Sequence, residues 1–402
     1  MASFSGLKIG SFLPLTVGLI LAFHVVILVE GRRDIAIGLS EEDELEIDRQ
    51  LNILNKEPVK TMHTIWGDIY DCIEFHKQPA FDHPLLKNRV IPKKDEITAS
   101  TRPHNAQMSQ TQGCPKGTVP IRRTTKEDLI RAKYLSSSSN DAGVSYRAGI
   151  KIQIPDPNTR FYGAKGTTNL WNPKVNDEQW SGAEMDLRAS NNTEVVNQIR
   201  FGWMVNPRLY GDHVTRTFMY WTDDGGATTG CYDYLCPGFV QVDPKYTPLF
   251  YYNQTSIVGG EQIELWSSIY LQQSGDWWLN LLIDDEQYQI GYWPKELFRL
   301  LNSGAEFIYW GGRATIDSKQ IAPEMASGKQ LDDSSNHNGY IAGLKYTDKD
   351  KIPWTPEQKI PLKVDCKGKG YDATWDSENA VLTYGGPGGC SIVADSTVGV
   401  LK

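Results

Sequence analysis

The sequence predicts a mainly β protein, with an antiparallel sandwich or barrel of roughly 260 residues in its C-terminal part. Three observations carry that expectation. Apolar and polar residues alternate in several separate runs beyond residue 141. The chain holds 36 Gly and 21 Pro among 402 residues, a density that favours short strands and turns over long helices. After residue 141 no amphipathic repeat of helical length stands out, except in the stretch Pro294 to Leu301.

The N-terminal end has a different pattern. Phe12 to Val29 form an apolar run preceded by Lys8, and Val29 and Gly31 place small residues before a cut after Gly31, which predicts an export signal over residues 1–31. A signal anchor is the alternative, because a run of about 18 residues reaches the lower limit for spanning a bilayer. Pro14, Thr16, Gly18 and His24 weaken a permanent span, and Arg32-Arg33 would sit on the exported side, against the positive-inside tendency. No stable membrane span is expected after signal removal.

Next, Ser40-Glu41-Glu42-Asp43 resembles a capping box, and Ile47, Leu51 and Leu54 follow at helical spacing until Pro58 stops the pattern. Short apolar pieces mixed with charge and proline lead into the polar segment Thr98 to Gln112. Ser136-Ser137-Ser138-Ser139-Asn140-Asp141 reads as a protease-accessible linker and sets a boundary between residues 32–136 and 137–402. Beyond it come the strand candidates: Ile150, Ile152 and Ile154 alternating with Lys151 and Gln153, then Ile199, Phe201, Trp203 and Val205, then Ile263, Leu265, Ile269 and Leu271.

Six Cys in an exported protein suggest three disulfides, and their order suggests local pairing: Cys72 with Cys114, Cys231 with Cys236, and Cys366 with Cys390. The pair Cys231/Cys236 would otherwise be a zinc half-site, but no second Cys/His pair of matching spacing accompanies it. Asn191-Asn192-Thr193 and Asn253-Gln254-Thr255 are sequons, making Asn191 and Asn253 candidate glycosylation sites.

Composition narrows the chemistry. A net charge of −8 argues against a nucleic-acid surface. Of the 7 His, only His213 and His337 lie beyond residue 105, so a three-His metal site is impossible there, and no metal or cofactor is expected. Neither His accompanies a Gly-x-Ser-x-Gly elbow, and no Cys is left over as a nucleophile. GlyGlyProGlyGly at 385–389 lacks the Lys-Ser/Thr of a phosphate loop and reads as a tight turn. Carboxylate chemistry stays open.

Longer motifs carry a resemblance. Tyr70-Asp71-Cys72-Ile73-Glu74, Lys77-Gln78-Pro79-Ala80-Phe81-Asp82-His83-Pro84 and Cys114-Pro115-Lys116-Gly117-Thr118 resemble the activation peptide of plant neprosins. Leu209-Tyr210-Gly211-Asp212, Tyr220-Trp221-Thr222, Cys236-Pro237-Gly238-Phe239-Val240-Gln241, Gly291-Tyr292-Trp293-Pro294 and Trp310-Gly311-Gly312 resemble the catalytic domain of the same family. The resemblance covers nearly the whole sequence after the signal. It implies a smaller mixed α+β activation-peptide domain before an antiparallel β-sandwich, in a protein secreted to the extracellular space or cell wall, with the vacuole as another destination. Active members are glutamic-class endopeptidases that prefer proline and work at acid pH, with one Glu protonated to polarise the scissile carbonyl and the other ionised to activate water.

Both acid positions differ here. Where the family has Ile-Glu-x-Gly-Trp, this sequence has Ile199-Arg200-Phe201-Gly202-Trp203, and Trp310-Gly311-Gly312 is followed by Arg313. A guanidinium stays protonated and can exchange no proton with water or a leaving amine, so the resemblance implies a peptidase homologue without the family mechanism. Strand alternation puts Arg200 on the polar face, Arg313 should share that cleft, and Glu184 and Asp186 are the candidate counter-charges on a neighbouring strand. One expectation is an internal ion-pair cluster. Another is a binding cleft of Arg200, Arg313, Glu184 and Tyr220 for an acidic peptide, the free C-terminus of a polypeptide, or an acidic polymer such as an anionic sugar. The alternatives are an acid endopeptidase using Glu184 or Glu264, and a carbohydrate-binding wall protein.

Overall fold

The computed structural model describes residues 39–64, 66–89, 113–137, 145–156, 158–190, 196–315 and 321–391. The expected export signal, the polar segment from Thr98 to Gln112, the linker beyond Ser137 and the Asn191 sequon lie outside them. The protein divides into two compact units, one ending at Glu46 and one beginning at Ile47. Helix α1 (Glu41–Leu54) starts in the first. Its capping box forms: the Asp43 amide donates to the Ser40 hydroxyl at 3.1 Å and the Ser40 amide to the Asp43 carboxylate at 3.4 Å.

The second unit is built on antiparallel sheets. β1 (Lys60–His63), β2 (Ile69–Glu74) and β3 (Thr118–Arg122) make a three-stranded sheet. A seven-stranded front sheet runs β17 (Leu362–Val364), β4 (Ser145–Gln153), β14 (Phe307–Thr315), β6 (Trp180–Ser190), β7 (Val196–Val205), β8 (Arg216–Thr222) and β9 (Cys231–Tyr232). The nine-stranded back sheet begins β10 (Val240–Gln241), β13 (Glu286–Trp293), β12 (Trp277–Ile283), β11 (Glu264–Leu271) and β5 (Gly163–Asn169). It continues with β15 (Gly339–Thr347), β19 (Val381–Gly385) and β18 (Asp372–Asp376), and β16 (Pro353–Trp354) pairs with β15.

The two large sheets form a sandwich around one core, and alternation decides which residues enter it. Ile199, Phe201 and Trp203 of β7 point inward with Ile150 and Ile152 of β4, Ile308 and Trp310 of β14, and Leu265, Ile269, Leu279 and Ile290 of the back sheet. Trp203, Trp277, Trp293 and Trp310 are fully buried, each removing on the order of 200 Å² from water. Disulfides join Cys72–Cys114, Cys231–Cys236 and Cys366–Cys390. Among the described residues no helix is long and apolar enough to cross a membrane.

Two stretches differ from the sequence reading. Pro294 to Leu301 is not a helix: short 3₁₀ turns occupy Lys295–Leu297 and Leu301–Ser303, with Leu297, Phe298 and Leu301 drawn into the core. Ser136 and Ser137 belong to helix α2 (Lys126–Ser137) rather than to a linker. A second capping box starts that helix, Asp128 donating its amide to the Thr125 hydroxyl and accepting from the Thr125 amide.

The three-stranded sheet and the turns after it are clasped to the sandwich by polar contacts. Tyr70 donates to the Leu249 carbonyl at 2.9 Å, and the Gln78 side chain bonds the backbone of Gln241 as both donor and acceptor. Buried Arg89 pairs with Asp276 and Glu296. Arg216 reaches Asp68 at 3.2 Å, and beside it Asp233 is buried, accepting from the Met219 amide and the Tyr210 hydroxyl. Burial pushes the Asp233 carboxyl up to about 7, against the opposing pull of the Met219 amide, Arg122, Tyr210 and Arg216.

A raised native pKa gives a definite sign. From about pH 4 to 7 the native state holds a proton that the unfolded protein has released, so this group's contribution falls as pH rises through that window and is lost above it. Asp233→Asn cannot ionise. Its melting temperature should exceed the parent's by a few degrees at pH 8, with the difference vanishing near pH 4. Equal offsets at both pH values in parallel thermal melts would contradict this assignment.

Candidate functional site

The outer face of the front sheet carries the polar residues that the inward apolar rows leave behind. Cross-strand partners share a face, so register defines two adjacent rows. One runs Gly149, Gly311, Glu184, Gly202, Phe218 across β4, β14, β6, β7 and β8. The next runs Lys151, Tyr309, Asp186, Arg200, Tyr220 and, on β9, Tyr232. Glu184 therefore has glycine on both sides. At Gly202 a Cβ would stand 2.0 Å from the Ala183 carbonyl oxygen, and at Gly311, with φ of +152°, it would stand 2.5 Å from that of Ala148. These strands have no room for side chains next to Glu184, and longer ones reach it diagonally from the neighbouring rows.

Two arginines do so. Arg200, opposite Asp186, turns its Nη1 to within 3.6 Å of Glu184 Oε2. Arg313, opposite Gly182, brings its Nη1 within 3.4 Å of Oε1. The Glu184 side chain is 1% exposed and that of Arg200 4%, against 17% for Arg313. Arg200 also donates to the Tyr232 hydroxyl at 2.6 Å and lies 4.6 Å from the centre of the Tyr220 ring, with Phe218 and Tyr232 around it. Arg313 donates Nε–H to the Ser145 hydroxyl at 2.6 Å over the Trp180 ring.

Burial works against charge on both arginines, with different outcomes. At Arg200 it is outweighed by Tyr232, Glu184 and Asp186, which hold the guanidinium protonated more firmly than a free one. At Arg313 burial pushes the pKa down, Glu184 offsets only part of this, and Arg200 and Arg147 add to it. Asp186 is committed elsewhere: Arg188 grips it with a fork, including Nε contacts of 3.0 and 2.8 Å, and Gln198 donates at 2.8 Å. Burial would raise its pKa, yet Arg188, then Arg200 and Gln198, hold it below the ordinary carboxylate range.

Part of this face is covered. Trp180, Met204, Leu209 and Phe218 form a buried cluster against which Tyr220, Tyr232 and Leu135 of α2 pack. Arg131 of α2 donates to the Leu209 carbonyl at 3.0 Å.

The sequence-predicted residues Arg200, Arg313, Glu184 and Tyr220 thus come together, with Asp186 one row away. Trp221, next to Tyr220, packs in the core. Glu264 lies on the opposite outer face, that of the back sheet, and accepts from the Tyr340 hydroxyl at 2.5 Å, so it cannot form a dyad with Glu184. His213 and His337 pair with Asp177 and Asp332 away from the cluster. Ser145, Trp180 and Tyr232 were not legible as site residues. Tyr232 was visible only inside a cysteine motif, and its role depends on β9 joining the edge of the front sheet.

A β-sandwich with an additional N-terminal segment clasped to it is a two-part architecture, and both parts have sequence relatives. Residues 61–157 match the family profile described as Neprosin activation peptide, and residues 177–387 match that described as Neprosin. The latter match alone spans more than half of the chain, which belongs to the neprosin family and is a peptidase homologue. Among solved structures it is similar to scytalido-glutamic peptidase with a transition state analog inhibitor (TM-score 0.36, 9% identity) and with a peptide-based analog (0.34, 9%). It is also similar to SCP-B, a member of the eqolisin family of peptidases, in complex with the tripeptide Ala-Ile-His (0.31, 11%). Each comparison covers 60% of this protein and 98% of the other.

The cluster makes a stability prediction. Glu184→Gln would leave two buried cations facing each other, and the expected cost is about 3–5 kcal/mol in chemical denaturation at neutral pH. A cost below about 1 kcal/mol would mean that solvent, not Glu184, satisfies the arginines.

Proposed function

We propose that this protein is a secreted neprosin-family member that does not hydrolyse peptides and acts by binding on the outer face of its front sheet. The observation that carries this reading is the fate of Arg200 and Arg313. They stand where the family resemblance assigns the two catalytic Glu, and they converge on one carboxylate, Glu184. Acid peptidase chemistry of this class needs two groups that exchange protons, and neither guanidinium releases one in the working pH range. The carboxylates in the two described rows, Glu184 and Asp186, are each held by arginine.

Three disulfides are consistent with passage through an oxidising compartment, and exposed Asn253 is the described sequon that could carry a glycan there. Removal of the activation segment would fall to another protease, cutting after helix α2, beyond Ser137.

Purified full-length protein incubated with proline-containing peptides below about pH 5 should cleave none of them and should itself remain intact, as followed by mass spectrometry. The Arg200→Glu/Arg313→Glu variant is the companion sample, showing whether the surrounding cleft still supports the chemistry. Peptide cleavage by the parent, or unaided release of a C-terminal fragment of about 260 residues, would falsify the inactive reading.

A further inference from the structure

Beside the Glu184 cluster a groove of about 290 Å³ opens on the same outer face. Its lining includes Phe307 and Tyr309 of β14, Arg147 and Lys151 of β4, Lys363 of β17 and, on β6, Arg188 with the Asp186 carboxylate that it holds. Four cations from three strands are an unusual gathering in a protein of net charge −8. Register brings them together: Tyr309 pairs with Lys151 and Asp186, and Phe307 pairs with Gln153 and Arg188. The Lys151 ammonium lies 4.5 Å from the Phe307 ring centre, and the Arg147 guanidinium lies 6.0 Å from that of Tyr309. Those rings stand two residues apart on one strand, about 6.6 Å, so the two charged heads converge on the same space.

Their partners differ. Arg188 is held by Asp186, and Lys363 lies 2.6 Å from Asp365. Arg147 and Lys151 form no ion pair with a carboxylate among the described residues, and Lys151 is exposed. Partial burial is the largest cause holding the Lys151 ammonium below its usual range; Arg188, Arg147 and Lys363 add to it, and Asp186 opposes it.

We propose that this groove receives the carboxylate of an acidic side chain from an extended peptide lying along the outer face, with Arg147 and Lys151 as its direct partners. This names a ligand class for the binding function proposed above and rests on that reading. The volume suits one or two side chains. Phe307 and Tyr309 supply an apolar wall for the methylenes of a glutamate, and an arginine fork matches a carboxylate. An acidic polysaccharide fits less well. Stacking a pyranose needs an open ring face, but Lys151 already lies over Phe307, and Tyr309 is buried with its hydroxyl donating to the Gly312 carbonyl.

The test is a titration of the full-length protein with a short labelled peptide carrying Glu at alternate positions, amidated at its C-terminus, beside its Gln counterpart and an oligogalacturonate. The parent should bind the Glu peptide about tenfold or more tightly than the Gln peptide, and Arg147→Gln/Lys151→Gln should abolish that preference. Should the double variant fail to fold, Lys151→Gln alone, at an exposed position, should reduce the preference severalfold, and added salt should weaken Glu-peptide binding to the parent. Equal affinity for both peptides, a preference that survives in the folded variant, or binding of oligogalacturonate without a Glu-peptide preference would each overturn the proposal. Cleavage of either peptide by the parent is a separate result: it would overturn the inactive reading and leave the groove's preference to be judged by the affinities.

Discussion

Two guanidinium groups cannot share a buried surface without a counter-charge, and the outer face of the front sheet is arranged around supplying one. Glu184 stands on β6, central in the order β4, β14, β6, β7, β8, and its carboxylate receives Arg200 from one side and Arg313 from the other. Desolvating three charged side chains is costly, and the cluster persists because each arginine has a second interaction: Tyr232 and Tyr220 for Arg200, Ser145 and Trp180 for Arg313. A cation–carboxylate–cation arrangement gives the face permanent charge, and its two guanidinium groups do not trade protons with water.

The rest of the fold holds that arrangement in place. Glycine beside Glu184 on both adjacent strands is needed because the backbones approach too closely for a Cβ, and this leaves the carboxylate approachable only along diagonals. The inward rows of Trp, Ile and Phe fix which residues face outward, since a slip of one residue would bury Arg200 in the core and expose Trp203. The disulfide Cys231–Cys236 closes the loop after β9, which carries Tyr232, and helix α2 lays Leu135 over the neighbouring aromatic cluster. The groove holding Arg147 and Lys151 lies on the uncovered part of the same face, one row from Glu184.

Much of this was legible in the sequence because it depends on local periodicity. Alternation in Ile199-Arg200-Phe201-Gly202-Trp203 assigns Arg200 a face, and the same rule pairs Glu184 and Asp186 on theirs. What could not be read was long-range. Arg147, Arg188 and Lys363 are far apart in sequence and meet only because β17, β4, β14 and β6 are adjacent in the front sheet. Asp186 is gripped by Arg188 two residues along the same strand, a local contact, while Gln198 reaches it from β7 and only the sheet brings that strand alongside. The capping box at Thr125 starts a helix that runs into the serine tract, and the helix-like apolar spacing of Pro294 to Leu301 is resolved by core packing into short turns.

The central claim is that Glu184 serves as the shared counter-charge for Arg200 and Arg313, and a double-mutant cycle measures that directly. Stabilities of the parent, Glu184→Gln, Arg200→Met and the double variant, with a matching cycle for Arg313→Met, give the two coupling energies. The expected coupling is about 1.5 kcal/mol or more in each cycle, larger for Arg200 because it is more deeply buried. Effects that simply add, within about 0.5 kcal/mol in both cycles, would contradict it.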